Sequence, residues 1–174
     1  NYLCSVYHVG THIAISILEH STGEFLSNKI SPNDFNNIIS RYDISEILIL
    51  ESQKDIFQKY NSITEIVTNF VPDWLVDFNY MNEILCDHFK IKSMKGFGFE
   101  TKSISIVSSG IILHYLKENF QDKTKHINSL KSLPYNDIMK LDYSTVRNLE
   151  LFKPLLSKNS LVVLPFQILT FFLD

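Results

Sequence analysis

Apolar and polar residues alternate along the first thirty positions in three extended runs, with short turns between them. The runs are Tyr2 to Val9, His12 to Glu19 and Glu24 to Ile30. Alternation with period two is typical of β-strands, and the Gly, Ser and Thr residues between the runs favour tight turns. The pattern therefore predicts an antiparallel meander. In the second run, Ile13, Ile15 and Ile17 make one face strongly apolar, so we expect that face to pack on helices.

A helix is predicted directly after the meander. Ser31 can act as an N-cap, and Pro32 suits the first helical position because its fixed φ is already helical. Apolar side chains then recur at helical spacing: Phe35, Ile38, Ile39 and Tyr42. This spacing predicts an amphipathic helix with one buried stripe.

Strands and helices alternate through the middle of the chain. Ile47 to Leu50 is apolar throughout, as in a strand buried on both faces in a parallel part of a sheet. Further elements are predicted at Gln53 to Tyr60 (helix), Glu65 to Phe70 (strand), Tyr80 to Lys90 (helix) and Ser103 to Asn119 (helix). The last helix is apolar nearly all round, so we expect it to be buried on more than one side, with a close neighbour at Gly110. This order predicts an α/β fold, a ribonuclease H-like mixed sheet with flanking helices.

A domain boundary is predicted near residue 134. The segment 121–132 is polar and contains three lysines, and Pro134 follows it. We assign residues 1–134 to the α/β domain and residues 135–174 to an incomplete helical segment of a second domain. The apolar run 161–173 fits neither domain, and it is shorter than the ~20 residues that a bilayer span needs.

Composition and charge narrow the class of protein. A hydrophobic content of 45% is enough for a sizeable core. The net charge of -3 argues against a surface devoted to gripping phosphate, which requires clustered Lys and Arg. Cys4 and Cys86 are too few for a disulfide scaffold and no signal-peptide pattern opens the chain, so a reducing cytoplasm is expected. Because the chain opens at Asn1 rather than at Met, we interpret it as a piece of a longer protein.

Four short motifs occur in an order that points to a known family. They are Ser-Thr-Gly-Glu-Phe at 21–25, Gly-Phe-Gly at 96–98, Leu-His-Tyr-Leu at 113–116 and Thr-Val-Arg-Asn-Leu-Glu-Leu at 145–151. By these motifs the chain resembles the MutS family of DNA mismatch-repair proteins over residues 2–153. In that family the Gly-Phe-Gly loop and the Leu-His-Tyr-Leu helix close the connector domain, whose fold is ribonuclease H-like. The last motif opens the core domain.

The resemblance implies a non-catalytic part of a larger machine. Such a connector would relay conformational change between the mismatch-binding clamp and the ATPase, and it would dock the partner protein MutL. The resemblance places Asn82, Glu83 and Asp87 near the docking surface. It also implies junction residues that tie the connector to the core domain: Asp142, Arg147, Asn148 and Glu150.

The same resemblance assigns cofactors and most partners to the parent protein. This segment has neither a Walker A motif nor a mismatch-reading Phe-x-Glu, so we expect no cofactor in it. ATP, Mg²⁺ and mismatched DNA would be bound by other domains of the parent, which is expected to be a dimer. No contact with a membrane is expected.

Two other classes of protein stay open. A ribonuclease H-like nuclease holds two Mg²⁺ ions with carboxylates from its first and fourth strands. Here the first run has no carboxylate, and only Glu46 and Glu51 flank the fourth. The other alternative is an interaction module attached to a membrane through residues 161–173.

Two further groups of residues favour structural roles over chemistry. Histidine occurs three times in and beside the meander: His8, His12 and His20. Their spacing is not that of common zinc sites, so we expect ordinary strand histidines. Cys86, Asp87 and His88 are consecutive on a predicted helix and therefore face different directions, so they cannot pair as nucleophile and base.

Aromatic residues mark two more positions. Gly96-Phe97-Gly98 lacks the features of a phosphate-binding loop, and it predicts a tight turn that docks Phe97 or Phe99 into a pocket. Trp74, just after Pro72, either faces a partner or covers a small core.

Overall fold

One mixed sheet of six strands organises the residues that a computed structural model describes, which are 1–60, 65–100, 102–120 and 124–134. The strands are β1 (Tyr2–Val9), β2 (His12–Glu19), β3 (Glu24–Ile30), β4 (Ile44–Leu50), β5 (Val67–Val71) and β6 (Lys131–Ser132). Their order across the sheet is β5-β4-β1-β2-β3-β6. The predicted α/β fold with a ribonuclease H-like mixed sheet is confirmed.

The sheet has an antiparallel centre and parallel flanks. β1, β2 and β3 form the predicted meander with the predicted bounds. β4 runs parallel to β1, and β5 runs parallel to β4. On the other flank β6 is parallel to β3. β5 and β6 are therefore the two edges of the described sheet.

Helices cover both faces of the sheet. They are α1 (Phe35–Arg41), α2 (Lys54–Phe57), α3 (Phe78–Phe89) and α4 (Ile104–Phe120). Short 3-10 turns precede all but α4: Pro32–Asp34, Glu51–Gln53 and Asp73–Val76, with a further one at Met94–Phe97. Ser31 caps the first of these turns by accepting a hydrogen bond from the Asn33 backbone N–H, so the predicted cap lies one short turn ahead of α1.

The face with α1 and α2 has an apolar core. Ile13, Ile15 and Ile17 of β2 pack there with Phe35 and Phe57, as the alternation along β2 predicts. The aromatic rings of Phe35 and Phe57 lie 5.6 Å apart. Burying each such side chain stabilises the fold by roughly 1.5–3 kcal/mol.

The opposite face accepts α4 through a layer of small polar side chains. The Oγ atom of Ser16 lies 2.8 Å from Ser27 Oγ, 2.7 Å from Ser108 Oγ and 3.0 Å from Ser109 Oγ. All four serines are completely buried. We call these four residues the serine layer. Small side chains let the helix approach the sheet closely, and their mutual hydrogen bonds offset the cost of burying hydroxyls.

A third layer is formed by α3, which packs on the outside of α4. A Cβ atom placed on Gly110 of α4 would lie 2.6 Å from Met81 Cβ of α3. The predicted close neighbour of Gly110 is therefore Met81. Since α4 is enclosed by the sheet on one side and by α3 on the other, its apolar sequence on nearly every side is explained.

Several elements differ from the prediction. α2 ends at Phe57, three residues before the predicted Tyr60, and β5 begins at Val67, two residues after the predicted Glu65. β4 begins three residues before the predicted Ile47, because the half-buried Glu46 side chain has polar partners inside the fold. β6 lies within the polar segment that predicts a boundary, where its exposed residues pair through the backbone with β3. The predicted second domain, residues 135–174, lies outside the described residues.

Candidate functional site

The exposed side of α3 carries the residues that the sequence predicts for partner binding. Asp77 begins this helix as its N-cap, since its Oδ1 accepts a hydrogen bond from the Tyr80 backbone N–H at 3.0 Å. Glu83 and Asp87 are exposed one turn apart, and Asn82 is half-buried beside them. We call these three residues the acidic face of α3. Glu83 and Asp87 lie on the side of α3 that is turned away from α4, and Asn82 borders them.

An aromatic cluster lies at the beginning of α3. The rings of Trp74 and Tyr80 are 5.7 Å apart, and the His114 ring of α4 meets the Trp74 ring edge-on at 5.5 Å. Trp74 is 59% exposed and Tyr80 is 37% exposed. We call these three residues the aromatic corner. This exposure argues against Trp74 as a cover over a small core, and its contact with a partner stays a prediction.

Residues distant in sequence build the aromatic corner. Trp74 belongs to the 3-10 turn ahead of α3, whereas His114 is near the end of α4. The Tyr80 hydroxyl lies 3.4 Å from His114 Nδ1, which joins the two helices. No local sequence pattern indicates this contact, because it depends on how α3 crosses α4.

Burial controls the charge of two histidines near this surface. It lowers the pKa of His114 below the ordinary value, with Lys117 acting in the same direction and Glu118 opposing it. Burial likewise lowers the pKa of His88, whose Nε2 donates to the Ile127 carbonyl oxygen at 2.8 Å. Both imidazoles are therefore mainly neutral at pH 7.

The carboxylates considered for a nuclease lie at opposite ends of β4. Glu46, near its start, accepts hydrogen bonds from the Tyr115 hydroxyl and the Asn69 side-chain amide, each at 2.5 Å. Glu51 is exposed just after the end of the strand. The four residues between them, 47–50, are extended and put the two positions ~16 Å apart, whereas a two-metal site needs carboxylates that converge on ions ~4 Å apart. The structure does not bring these two carboxylates together.

The three histidines predicted as ordinary strand residues do not converge. His8 and His12 flank the β1–β2 turn, and His20 follows the far end of β2. The rings of His20 and His126 lie 5.3 Å apart, which ties the segment after α4 to the meander. Across the described ranges, no group of three His, Cys, Asp or Glu side chains could hold a metal ion.

The consecutive residues 86–88 separate as predicted. Asp87 is exposed, His88 bonds to the backbone of residue 127, and Cys86 is half-buried on α3. Burial and the neighbouring Asp87 raise the pKa of the Cys86 thiol. A raised thiol pKa is the opposite of what a nucleophilic cysteine requires.

The predicted tight turn at 96–98 is confirmed. Gly98 adopts φ of 82°, a conformation that favours glycine, and its N–H donates to the Lys95 carbonyl oxygen. Phe99 is buried in the core, while Phe97 is half-buried with its ring 5.0 Å from that of Phe89. The turn therefore fixes the segment that leads into α4 against the end of α3. A cleft of about 540 Å³ opens between this turn and the β1–β2 hairpin.

Several sequence predictions fall on residues that the structure does not describe. These are the junction residues Asp142, Arg147, Asn148 and Glu150, and the apolar run 161–173. Among the helices that are described, none is long and apolar enough to cross a membrane.

Comparison with known proteins identifies the family. The model of the protein family described as MutS domain II matches residues 1–128 of this chain. The chain is 34% identical to the DNA mismatch repair protein MutS of Flavobacterium psychrophilum over 153 residues, which are 87% of this chain and 17% of that protein.

Two further relatives agree. They are the DNA mismatch repair proteins MutS of Flavobacterium johnsoniae, 33% identical over 87% of this chain and 17% of the relative, and of Porphyromonas gingivalis, 31% identical over 89% and 17%. The chain thus spans about a sixth of the length of these curated relatives. Family and fold agree, and the chain belongs to the MutS family of DNA mismatch-repair proteins, with its first 128 residues matching domain II, the connector domain.

Proposed function

We propose that this chain is the connector of a mismatch-repair protein, that it relays conformational change between the mismatch-binding and ATPase parts, and that it docks MutL on the acidic face of α3. The observation that carries this proposal is the match of residues 1–128 to MutS domain II. In this proposal ATP, Mg²⁺ and mismatched DNA are bound by other domains of a dimeric cytoplasmic parent. Residues 135–174 begin its core domain.

The packing of the described residues supports the relay. Helix α4 contacts the sheet through the serine layer and contacts α3 at Gly110, where the two helices are too close for another Cβ. Elements that are packed this closely move as one body, because a packed interior does not deform continuously. A rotation imposed at one end of the domain would therefore reach α3 undiminished.

The exposure of α3 supports the docking role. Glu83 and Asp87 are exposed carboxylates on a helix whose other side is anchored to α4, so a partner can bind them without disturbing the core. The junction residues Arg147 and Glu150 have a separate role in this proposal, which is to fix the connector to the core domain.

Retention of MutL by the full-length parent tests the docking role. The parent, loaded onto mismatched DNA with ATP, is compared with a Glu83→Lys/Asp87→Lys variant. The control is Glu24→Lys/Asp43→Lys, which makes the same charge change at exposed positions on the α1 side of the sheet, where Glu24 bonds to Tyr2 and Asp43 lies between α1 and β4.

We expect the α3 variant to bind mismatched DNA and hydrolyse ATP normally but to lose MutL, whereas the control retains it. Unchanged retention of MutL by the α3 variant would contradict the docking role.

A further inference from the structure

The aromatic corner presents rigid rings to solvent. Trp74 is held on one side by Tyr80 and on another by the edge of His114, yet more than half of it remains exposed. Large aromatic side chains with few rotatable bonds bind partners at little entropic cost, and Trp and Tyr are enriched where interfaces are strongest. A ring fixed by its neighbours also offers a defined π-face, which attracts cations.

The sequence around this corner contains acidic residues and no basic ones. Residues 60–89 contain no Lys or Arg, and they contain five acidic residues: Glu65, Asp73, Asp77, Glu83 and Asp87. All five are exposed. Asp73 accepts hydrogen bonds from Ser52, and Asp77 caps α3. In the described part of the chain, Glu83 and Asp87 have no hydrogen-bond or ion-pair partner of their own.

One neighbouring cation, Lys90, lies at the C-cap of α3, and His114 adds no second cation at the aromatic corner. His114 is mainly neutral at pH 7 because burial lowers its pKa. Lys117 and Glu118 act on His114 with opposite signs, so this end of α4 adds no net charge near the ring. The surface therefore repels phosphate-bearing nucleic acid and anionic lipid, and it attracts cationic protein segments.

We propose that the aromatic corner and the acidic face of α3 form one docking surface for a basic protein segment, which places an Arg or Lys side chain over the Trp74 indole and further cations against Glu83 and Asp87. This inference rests on the proposed docking role of α3 and adds the chemistry of the partner. From Tyr80 to Asp87 the helix rises ~10 Å, which three to four extended residues of a partner can span.

A synthetic arginine peptide tests this chemistry directly. The probe is a twelve-residue peptide of alternating Arg and Ser, and its control carries citrulline, which is neutral, in place of every Arg. Trp74 is the single tryptophan of the chain, so intrinsic fluorescence reports on this surface alone. We expect the arginine peptide to change the fluorescence saturably, with affinity that falls as salt rises, and the citrulline peptide to have no effect.

Variants of the 174-residue chain then distinguish peptide binding at this surface from non-specific electrostatic attraction. Anisotropy of a labelled arginine peptide measures the binding. We expect Trp74→Ala to weaken binding about five-fold, which corresponds to a cation–π contribution of ~1 kcal/mol. We expect Glu83→Gln/Asp87→Asn to weaken it about four-fold and to flatten its salt dependence.

The matched control is Glu24→Gln/Asp43→Asn, which removes two charges on the α1 side of the sheet and should leave binding unchanged. Equal weakening in the control and the α3 variant, or no saturable binding, overturns the inference.

The two proposals fail in different ways. If Glu83→Gln/Asp87→Asn loses the arginine peptide while the full-length parent still retains MutL, the basic-segment chemistry stands and the MutL assignment fails. If the parent loses MutL but the 174-residue chain never binds the arginine peptide, the docking role stands and the chemistry proposed here is wrong.

Discussion

A methyl group at Gly110 would separate α3 from α4. In Gly110→Ala the new Cβ would lie 2.5 Å from Met81 Sδ and 2.6 Å from Met81 Cβ. The sulfur is at the flexible part of the side chain and can swing away. The Met81 Cβ cannot, because it is fixed to the α3 backbone, so α3 must move outward by about 1 Å to restore ordinary van der Waals contact of ~3.5–4 Å.

Two opposing effects set the size of the change. Overpacking of this kind costs ~1–3 kcal/mol, and the cost lies toward the upper end when backbone has to move. Replacing Gly with Ala inside a helix stabilises by ~1 kcal/mol. The clash is the larger effect, so we expect Gly110→Ala to lower the free energy of unfolding by about 1–2 kcal/mol. For a chain of this size the melting temperature would fall by about 2–8 °C.

Urea unfolding, followed by circular dichroism and by Trp74 fluorescence, measures this loss. Gly96→Ala is the matched control, because a Cβ there meets nothing within 4 Å. We expect the control to be neutral or to stabilise slightly, by up to ~1 kcal/mol. If Gly110→Ala were as stable as Gly96→Ala, the close contact between α3 and α4 would be refuted, and with it the rigid seating of the acidic face.

Three further predictions concern single residues, Gly23, Tyr115 and Glu19. Gly23→Ala should destabilise the domain and speed hydrogen exchange in 124–133, because Gly23 has φ of 75° and its Cβ would lie 2.7 Å from the His126 carbonyl oxygen. Burial and a hydrogen bond to the Glu46 carboxylate raise the pKa of Tyr115 to about 12, above the unfolded value of about 10. Its stabilising contribution is therefore full below pH 10 and lost as pH rises toward 12, and Tyr115→Phe should remove one late step from the tyrosinate absorbance titration. Hydrogen bonds from Thr22 lower the pKa of Glu19 to about 2, so its contribution is full above pH ~4.5 and lost toward pH 2, and Glu19→Gln should flatten acid unfolding in that range.

Each of these predictions has a distinct contrary result. Unchanged exchange in Gly23→Ala would mean that the segment after α4 does not lie over the β2–β3 turn. An unaltered late titration step in Tyr115→Phe would place the hydroxyl in solvent. An acid unfolding curve that Glu19→Gln leaves unchanged would mean that its carboxylate is not hydrogen-bonded in the folded state.

The central strands could be predicted from sequence because their side chains alternate between apolar and polar, and turn residues separate one strand from the next. β1 to β3 have the predicted bounds, since alternation and turn residues coincide at every end. β4 extends further than predicted because Glu46 interrupts its apolar run. The Tyr115 hydroxyl that bonds the Glu46 side chain is 69 residues away, so no local pattern indicates that Glu46 belongs to a strand. β6 has no side-chain signal, because its two exposed residues pair only through the backbone.

The candidate site was predictable only in part. The resemblance points to the solvent face of a predicted helix around Asn82, Glu83 and Asp87, and in the structure Glu83 and Asp87 are exposed while Asn82 is half-buried. Trp74 stands out in the sequence, but its contact with His114 depends on the crossing of α3 and α4, which no local pattern encodes. Binding of MutL by the acidic face stays a prediction.

The serine layer limits how this domain can change over time. Apolar contacts keep much of their strength when a helix slides by a fraction of a turn, but hydroxyl pairs at 2.7–3.0 Å do not. A substitution at Ser16 alone leaves the buried Ser109 hydroxyl without its hydroxyl partner and removes one hydrogen bond each from Ser27 and Ser108, which keep backbone carbonyl partners. Exchanging the whole set for apolar residues of matching volume leaves no such hydroxyl behind. Mutations at Ser16, Ser27, Ser108 and Ser109 should therefore be tolerated as groups rather than singly, which makes these four positions a joint target for redesign.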